Sequence, residues 1–187
     1  MKTFSLFILI LLLAGCELFD TRDPQSPAGD QGSWETPQQP RDVLTNLGLS
    51  LFEKNAANYL RSFDADSFLF IADPAVQQQQ PSIAGWDYAR EQSHINSLFS
   101  EGSLPSDSAV FVVFTQTDET VLGDSAQVIA SYSLTAQLAL AGRPGDMRGE
   151  SQFWFRVGRE GYWVISRWTD LRTESEASWS DLKALVQ

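Results

Sequence analysis

The chain has 187 residues, with 13 lysines and arginines against 24 acidic side chains, and a net charge of −11 at neutral pH. Such an acidic surface repels phosphate backbones, which argues against nucleic acid as a partner. One Cys and one His exclude a Cys/His zinc set and an intramolecular disulfide, no Asp-x-Asp-x-Asp-Gly calcium loop is present, and nothing calls for a metal or a cofactor.

Met1, Lys2 and Thr3 open the chain with a positive charge, and Phe4 to Leu13 is apolar except for Ser5. That run is half of the ~20 residues that a membrane-spanning helix needs, and it reads as the core of a secretory signal. It ends in Leu13-Ala14-Gly15-Cys16, which resembles the lipobox of bacterial lipoproteins. The resemblance implies that residues 1–15 are a signal peptide and that Cys16, acylated on its thiol and on its new amino terminus, heads the mature chain. Several acyl chains, each buried methylene adding about 0.8 kcal/mol, make that anchorage stable. Glu17 follows the Cys, and in many Gram-negative envelopes this resembles the pattern of release to the outer membrane. The expected location is therefore the bacterial cell envelope, on the outer membrane, with the membrane met through the lipid on Cys16 and not through a basic patch.

Residues 16–40 read as the lipidated Cys and a disordered tether, because Pro24, Pro27, Pro37 and Pro40 are set among Gln, Gly, Ser and Asp with little to bury. A tether of this length reaches roughly 27 Å. Trp34 stands out within it, either as a contact with the domain or as an exposed docking aromatic. Residues 41–187 have the size of one domain and show no internal repeat.

A first helix is predicted from Asp42, as its cap, to Phe63: Leu44, Leu47, Leu51, Phe52, Ala56, Tyr59, Leu60 and Phe63 recur at three-and-four spacing. Gly48 weakens its middle by about 1 kcal/mol. Phe68 to Ile71 reads as a short strand stopped by Asp73-Pro74, and Gln77 to Pro81 as a polar loop. A second helix runs from Gly85 or Trp86 to Phe99, with Tyr88, Gln92, Ile95, Leu98 and Phe99 along one side. Ala109 to Thr115 is a β-branched and aromatic strand, and Gln127 to Leu140 alternates apolar and polar as a long half-buried strand. Glu150 to Val157 and Tyr162 to Leu171 form a hairpin around Gly158-Arg159-Glu160-Gly161. Ser178 to Asp181 looks like a capping box that opens a short terminal helix. Helices followed by a run of strands argue for an α+β domain.

The final hairpin, Phe153-Trp154-Phe155-Arg156-Val157 with Gly161 to Asp170, resembles that of the NTF2-like (nuclear transport factor 2) superfamily, whose cones are also described as SnoaL-like or cystatin-like; the likeness spans Asp42 to Arg172. Trp86-Asp87-Tyr88, Leu98-Phe99, Arg167 to Asp170 and Ser178 to Lys183 look like a group of uncharacterised lipoproteins of that fold. The resemblance implies a cone: N-terminal helices packed on a strongly bent antiparallel sheet, a short C-terminal helix, and a pocket that serves elsewhere in enzymes and in non-catalytic binding. Fold alone does not choose between them.

A pocket enzyme of isomerase, dehydratase or hydrolase type needs an Asp or His general base, and Asp73, His94, Tyr132 and Asp170 are the candidates by type. No spacing links them. Asp73 reads more simply as a turn residue, Asp87 as a helix first-turn carboxylate, Asp170 as a strand end, Tyr132 as core and His94 as a surface or packing residue. The aromatics form the other constellation. Both faces of the last hairpin are apolar, so its outer face calls for cover from the terminal helix with Trp179 or from a second copy packing sheet to sheet. Trp86, Trp154, Arg156 and Trp168 are the candidate ligand or partner residues. The preferred reading is a non-catalytic binding or assembly module that takes an apolar small molecule or an envelope protein, with a homodimer through the sheet as one form of assembly.

Overall fold

The computed structural model describes residues 32–140, 146–173 and 177–187; Cys16, the signal segment and most of the expected tether lie outside them. Gly32–Gln187 forms one compact unit whose described core contacts are all internal to it. Helix α1 spans Pro40–Phe52, with Pro40 in the first turn, where its missing N–H costs nothing. Asp42 lies within that first turn and accepts from the Gln38 and Gln39 amides at 3.0 and 3.1 Å. The long first helix expected from periodicity breaks at Lys54, which takes a left-handed φ of 53° and donates through Nζ to the Pro105 and Ser106 carbonyls. Asn55 then caps a separate helix, α2 (Ala56–Leu60), by accepting from the Asn58 amide.

Strand β1 (Leu69–Ile71) leads to Asp73, which caps α3 (Pro74–Gln79), a helix in place of part of the expected loop. A single 3₁₀ turn (Pro81–Ile83) precedes the two-residue strand β2 (Trp86–Asp87). Asp87 caps α4 (Tyr88–Leu98) through the Arg90 amide at 3.0 Å, the helix-start role read from sequence. The long strands are β3 (Val110–Leu122), β4 (Ser125–Ala136), β5 (Asp146–Val157) and β6 (Trp163–Arg172), and α5 (Trp179–Leu185) closes the chain.

These strands form one curved six-stranded sheet in the order β2-β1-β6-β5-β4-β3. The sheet is the bent antiparallel one expected, with one parallel pair added where β1 lies beside β6. Bulges between Gln116 and Asp118 and opposite Trp154/Phe155 add to the bend. The second bulge leaves Ser166 between Ile165, which pairs with Phe155, and Arg167, which pairs with Trp154. Side chains alternate faces along a strand, so one extra residue brings Ile165 and Trp168 to the same buried face. Strict alternation along β6, which sets Trp163 and Ile165 against Val164 and Trp168, therefore fails at the bulge.

Residues 32–40, assigned to the tether on composition, lie against the domain. Arg61 Cζ stands 3.6 Å over the Trp34 ring, whose edge meets Tyr162 at 5.5 Å, and Asn46 exchanges hydrogen bonds with the Glu35 backbone. The Ser33 amide also donates to the Glu53 carboxylate at 3.0 and 3.1 Å and the Trp163 amide to the Pro37 carbonyl at 3.4 Å, so several contacts hold a polar segment that composition alone leaves loose.

Candidate functional site

The inside of the cone is where the candidate residues meet, and α5 is what brings them together. Its side chains point back toward the sheet: Trp179, Leu182 and Lys183 are all at most 1% exposed. Trp179 meets Trp168 edge to face at 4.6 Å and stacks against Phe114 at 6.2 Å. Trp168 in turn meets Phe70, Phe153 and Phe63 between 5.2 and 6.4 Å. Aromatic rings therefore fill the middle of the cone.

Two polar networks run through this packing. In the first, Lys183 Nζ lies 2.5 Å from both carboxylate oxygens of Glu91, and both side chains are fully buried. Glu91 also accepts from the Tyr59 hydroxyl and the Trp86 indole N–H, each at 2.6 Å. Burial pushes the Glu91 carboxyl up, but the Lys183 ammonium and the hydrogen bonds from Lys183 and Tyr59 outweigh it, and the group titrates below its ordinary range. Burial pulls Lys183 down against the pull of Glu91. His94 Nδ1 sits 2.5 Å from the Val186 carbonyl, and burial, with Lys183 nearby, lowers its pKa to about 4, so the ring is neutral at pH 7.

The second network ties α5 to β6. Asp170 accepts from the Tyr132 hydroxyl at 2.7 Å through Oδ1, and from the Ser180 amide and hydroxyl at 2.7 and 2.6 Å through Oδ2. The Tyr132 hydroxyl accepts from the Trp179 amide at 2.7 Å. Gly149 makes room for that phenol, since a Cβ there would stand 2.6 Å from the Tyr132 oxygen. Burial raises Asp170 despite these donors, and burial with the Asp170 charge beside it pushes the Tyr132 phenol far above its usual value. Asp73 accepts from the Ala75 and Arg172 amides, and its own amide donates to Ser180 Oγ at 2.9 Å.

Of the four acid–base candidates, Tyr132 and Asp170 are thus joined directly, Asp73 connects to them through Ser180, and His94 belongs to the Glu91 network. The four expected binding residues divide. Trp86 and Trp168, at 1% and 0% exposed, are core residues and not a ligand or partner surface: the indole N–H of one reaches Glu91, and that of the other donates to Ser151 Oγ at 3.0 Å. Trp154 and Arg156 come together on the outer sheet face with Leu69 and Arg167, around a depression of about 350 Å³. Arg167 covers the Trp154 ring at 5.1 Å, and Arg156 forms an ion pair with Asp64.

Glu91 and Lys183 escape the sequence reading, which places Tyr59 on an apolar stripe without its hydrogen bond to Glu91. Periodicity puts Gln92 on the apolar side of α4, yet Gln92 is exposed and Glu91 is buried. Lys183 follows Trp179 by four residues and precedes Val186 by three, so a cation on an apolar helical stripe was the signal that a partner lay inside.

No protein-family model matches the chain, and no curated protein matches it in sequence. Solved structures match its fold. A protein provisionally named an aromatic ring hydroxylase, from Novosphingobium aromaticivorans, is 18% identical with a TM-score of 0.53, over 76% of this chain and 92% of its own. An NTF2-like protein from Cytophaga hutchinsonii is 12% identical with a TM-score of 0.51, over 71% and 94%. A ketosteroid isomerase-like protein from Erwinia carotovora atroseptica is 11% identical with a TM-score of 0.50, over 72% and 93%. At these identities the likeness is one of fold: the domain is an α+β cone of the NTF2-like type.

Proposed function

We propose that this chain is a bacterial envelope lipoprotein, acylated on Cys16 and held at the outer membrane, whose NTF2-like domain binds a partner without catalysing a reaction. The partner is a small apolar molecule or an envelope protein, and Trp154 with Arg156 on the outer sheet face offers a surface to such a protein or to a second copy. One observation carries the non-catalytic part. The side-chain groups that acid–base chemistry would use are engaged in holding α5 and α3 to the sheet, while Trp168 and Trp179 fill the space that a substrate would need. The lipid part rests on the positive start, the apolar run and the Leu13-Ala14-Gly15-Cys16 ending.

Asp170 supports the rival reading of a pocket enzyme. Its buried carboxyl is raised, as a general base requires, yet both of its oxygens already accept hydrogen bonds from residues of the chain. The test is metabolic labelling with radioactive palmitate followed by membrane fractionation. The parent chain should carry label and sediment with outer membranes, and Cys16→Ser should lose both. A Cys16→Ser chain that is still labelled and still sediments there overturns the lipoprotein reading.

A further inference from the structure

A groove of about 490 Å³ runs between α1 and the edge strand β3, outside the filled cone. One face of α1 lines it: Arg41, Leu44, Thr45, Gly48, Leu49 and Phe52 recur at helical spacing. Opposite stand Phe111, Val112, Phe114 and Gln116 of β3. This side of α1 borders the core-facing stripe through Val43, Leu47 and Leu51 and shares the buried Leu44 with it, while Leu49 and Phe52 extend the apolar surface outward. It ends in exposed rings, with Phe52 at 50% and Phe111 at 55% exposure and their centroids 5.0 Å apart.

The groove has a polar end and an apolar end. Phe52 meets Phe111, and Gly48 lies across from Val112, so α1 and β3 run in opposite senses and Arg41 falls at the Phe114/Gln116 end. From Arg41 to Phe52 the helix rises about 16 Å. Among the described residues, no carboxylate stands within ion-pair distance of the Arg41 guanidinium, although acidic side chains outnumber basic ones almost two to one. Asp42, beside Arg41 in sequence, accepts from the Gln38 and Gln39 amides, and Glu119 on β3 accepts from the Gln116 side-chain amide at 2.7 Å. An elongated trough with apolar walls and, at one end, a cation that no described carboxylate pairs with fits an amphiphile with one tail and an anionic head. The volume suits a small ligand.

We propose that this groove binds a free medium-chain fatty acid, its carboxylate on Arg41 and its tail laid along Leu44, Leu49 and Phe52 toward Phe111. The inference rests on the reading of the domain as a binding module, and supplies that module with a site and a ligand class. A carboxylate accepts a forked pair of hydrogen bonds from a guanidinium, and Phe52 and Phe111 lose exposed surface to the tail.

The test is titration of residues 32–187, the compact unit, with dodecanoate, dodecanol and dodecyltrimethylammonium. Methyl NMR of Leu44, Leu49 and Val112 reports the location. Dodecanoate should bind most tightly and shift those methyls, Arg41→Glu should weaken it roughly tenfold or more, and Glu119→Gln should tighten it. Gly48→Leu, which puts a branched side chain on the groove floor, should abolish binding. Should that variant misfold, Arg41→Glu and the methyl shifts carry the test alone. Equal affinity for the three amphiphiles, unchanged affinity in Arg41→Glu, or shifts confined to residues outside the groove overturns the proposal. So does flotation with phosphatidylglycerol vesicles without dodecanoate binding, which assigns the patch to a membrane, or loss of the groove methyl signals on self-association, which assigns it to a second copy. Labelling of Cys16 is read independently, so the site can fail while the lipoprotein reading stands.

Discussion

Lys183→Met probes the centre of the cone most directly. The methionine stem keeps the volume of the lysine among Phe70, Trp86 and Trp168, whose ring centroids lie 4.7 to 5.1 Å from Nζ, so little packing is lost. What changes is charge. Glu91, fully buried, keeps its hydrogen bonds from Tyr59 and Trp86 but loses its cation. Removing one member of a buried pair costs about 3–5 kcal/mol, a large part of the ~5–15 kcal/mol by which a domain is stable. Adding Glu91→Gln removes the stranded charge, still offers an acceptor to one of the two donors, and leaves a cost of about 1–3 kcal/mol for the mismatched amide and the other donor. The double variant should therefore be more stable than Lys183→Met alone by roughly 2 kcal/mol. Urea unfolding at pH 7, with equal slopes for all variants, measures both values. A Lys183→Met chain within 1 kcal/mol of the parent, or a double variant no more stable than the single, refutes the reasoning that an unpaired buried charge governs the cost.

His94 makes stability fall on acidification. Its imidazole titrates at about 4 when folded and near 6.5 when unfolded, so between those values the unfolded chain binds more protons and the native state loses about 3 kcal/mol in all. Asp170, raised by burial, works in the opposite sense at the acid end, so the clean comparison is the parent against His94→Gln from pH 7 to 5. The parent's urea midpoint should drop with a slope that the variant lacks, and identical slopes would remove His94 as the cause. Gly48→Ala should stabilise α1 by about 1 kcal/mol, because the added Cβ meets Val112 Cγ1 at an ordinary 3.6 Å and helix propensity is gained. Differential scanning calorimetry should show a rise of about 2–4 °C, and a fall would mean that the groove floor is tighter than its geometry indicates.

Much of the sheet was legible because its signals are local. The alternation of Val128, Ala130, Tyr132 and Leu134 survives as the buried face of β4, and Gly158 to Gly161 does turn the last hairpin. Elements decided by one residue's partner elsewhere were not. A break at Lys54 depends on carbonyls at Pro105 and Ser106, fifty residues away, which periodicity around Leu51 and Ala56 does not register. The face of Trp168 depends on a bulge at Ser166 whose hydroxyl donates to the Trp154 carbonyl, so counting by twos along β6 assigned it to the wrong side. Trp34, Glu91 and Lys183 have the same character: each is an unusual residue for its segment until the side chain it meets is known.

The filled cone also bears on where a ligand can go. To enter the interior, a small molecule would have to displace Trp179 and with it the hydrogen bonds of Tyr132, Asp170 and Ser180, or lift Lys183 away from Glu91. Each route exposes buried polar groups whose unpaired cost, about 1–3 kcal/mol apiece and more for the ions, an apolar ligand has no means to offset. Binding in the groove between α1 and β3 breaks no hydrogen bond that holds α5 to the sheet and covers rings already half open to water. The proposed ligand therefore belongs on the flank of the cone and not inside it. Dodecanoate should then bind the parent and Lys183→Met with equal affinity, provided the variant is held under conditions where it stays folded.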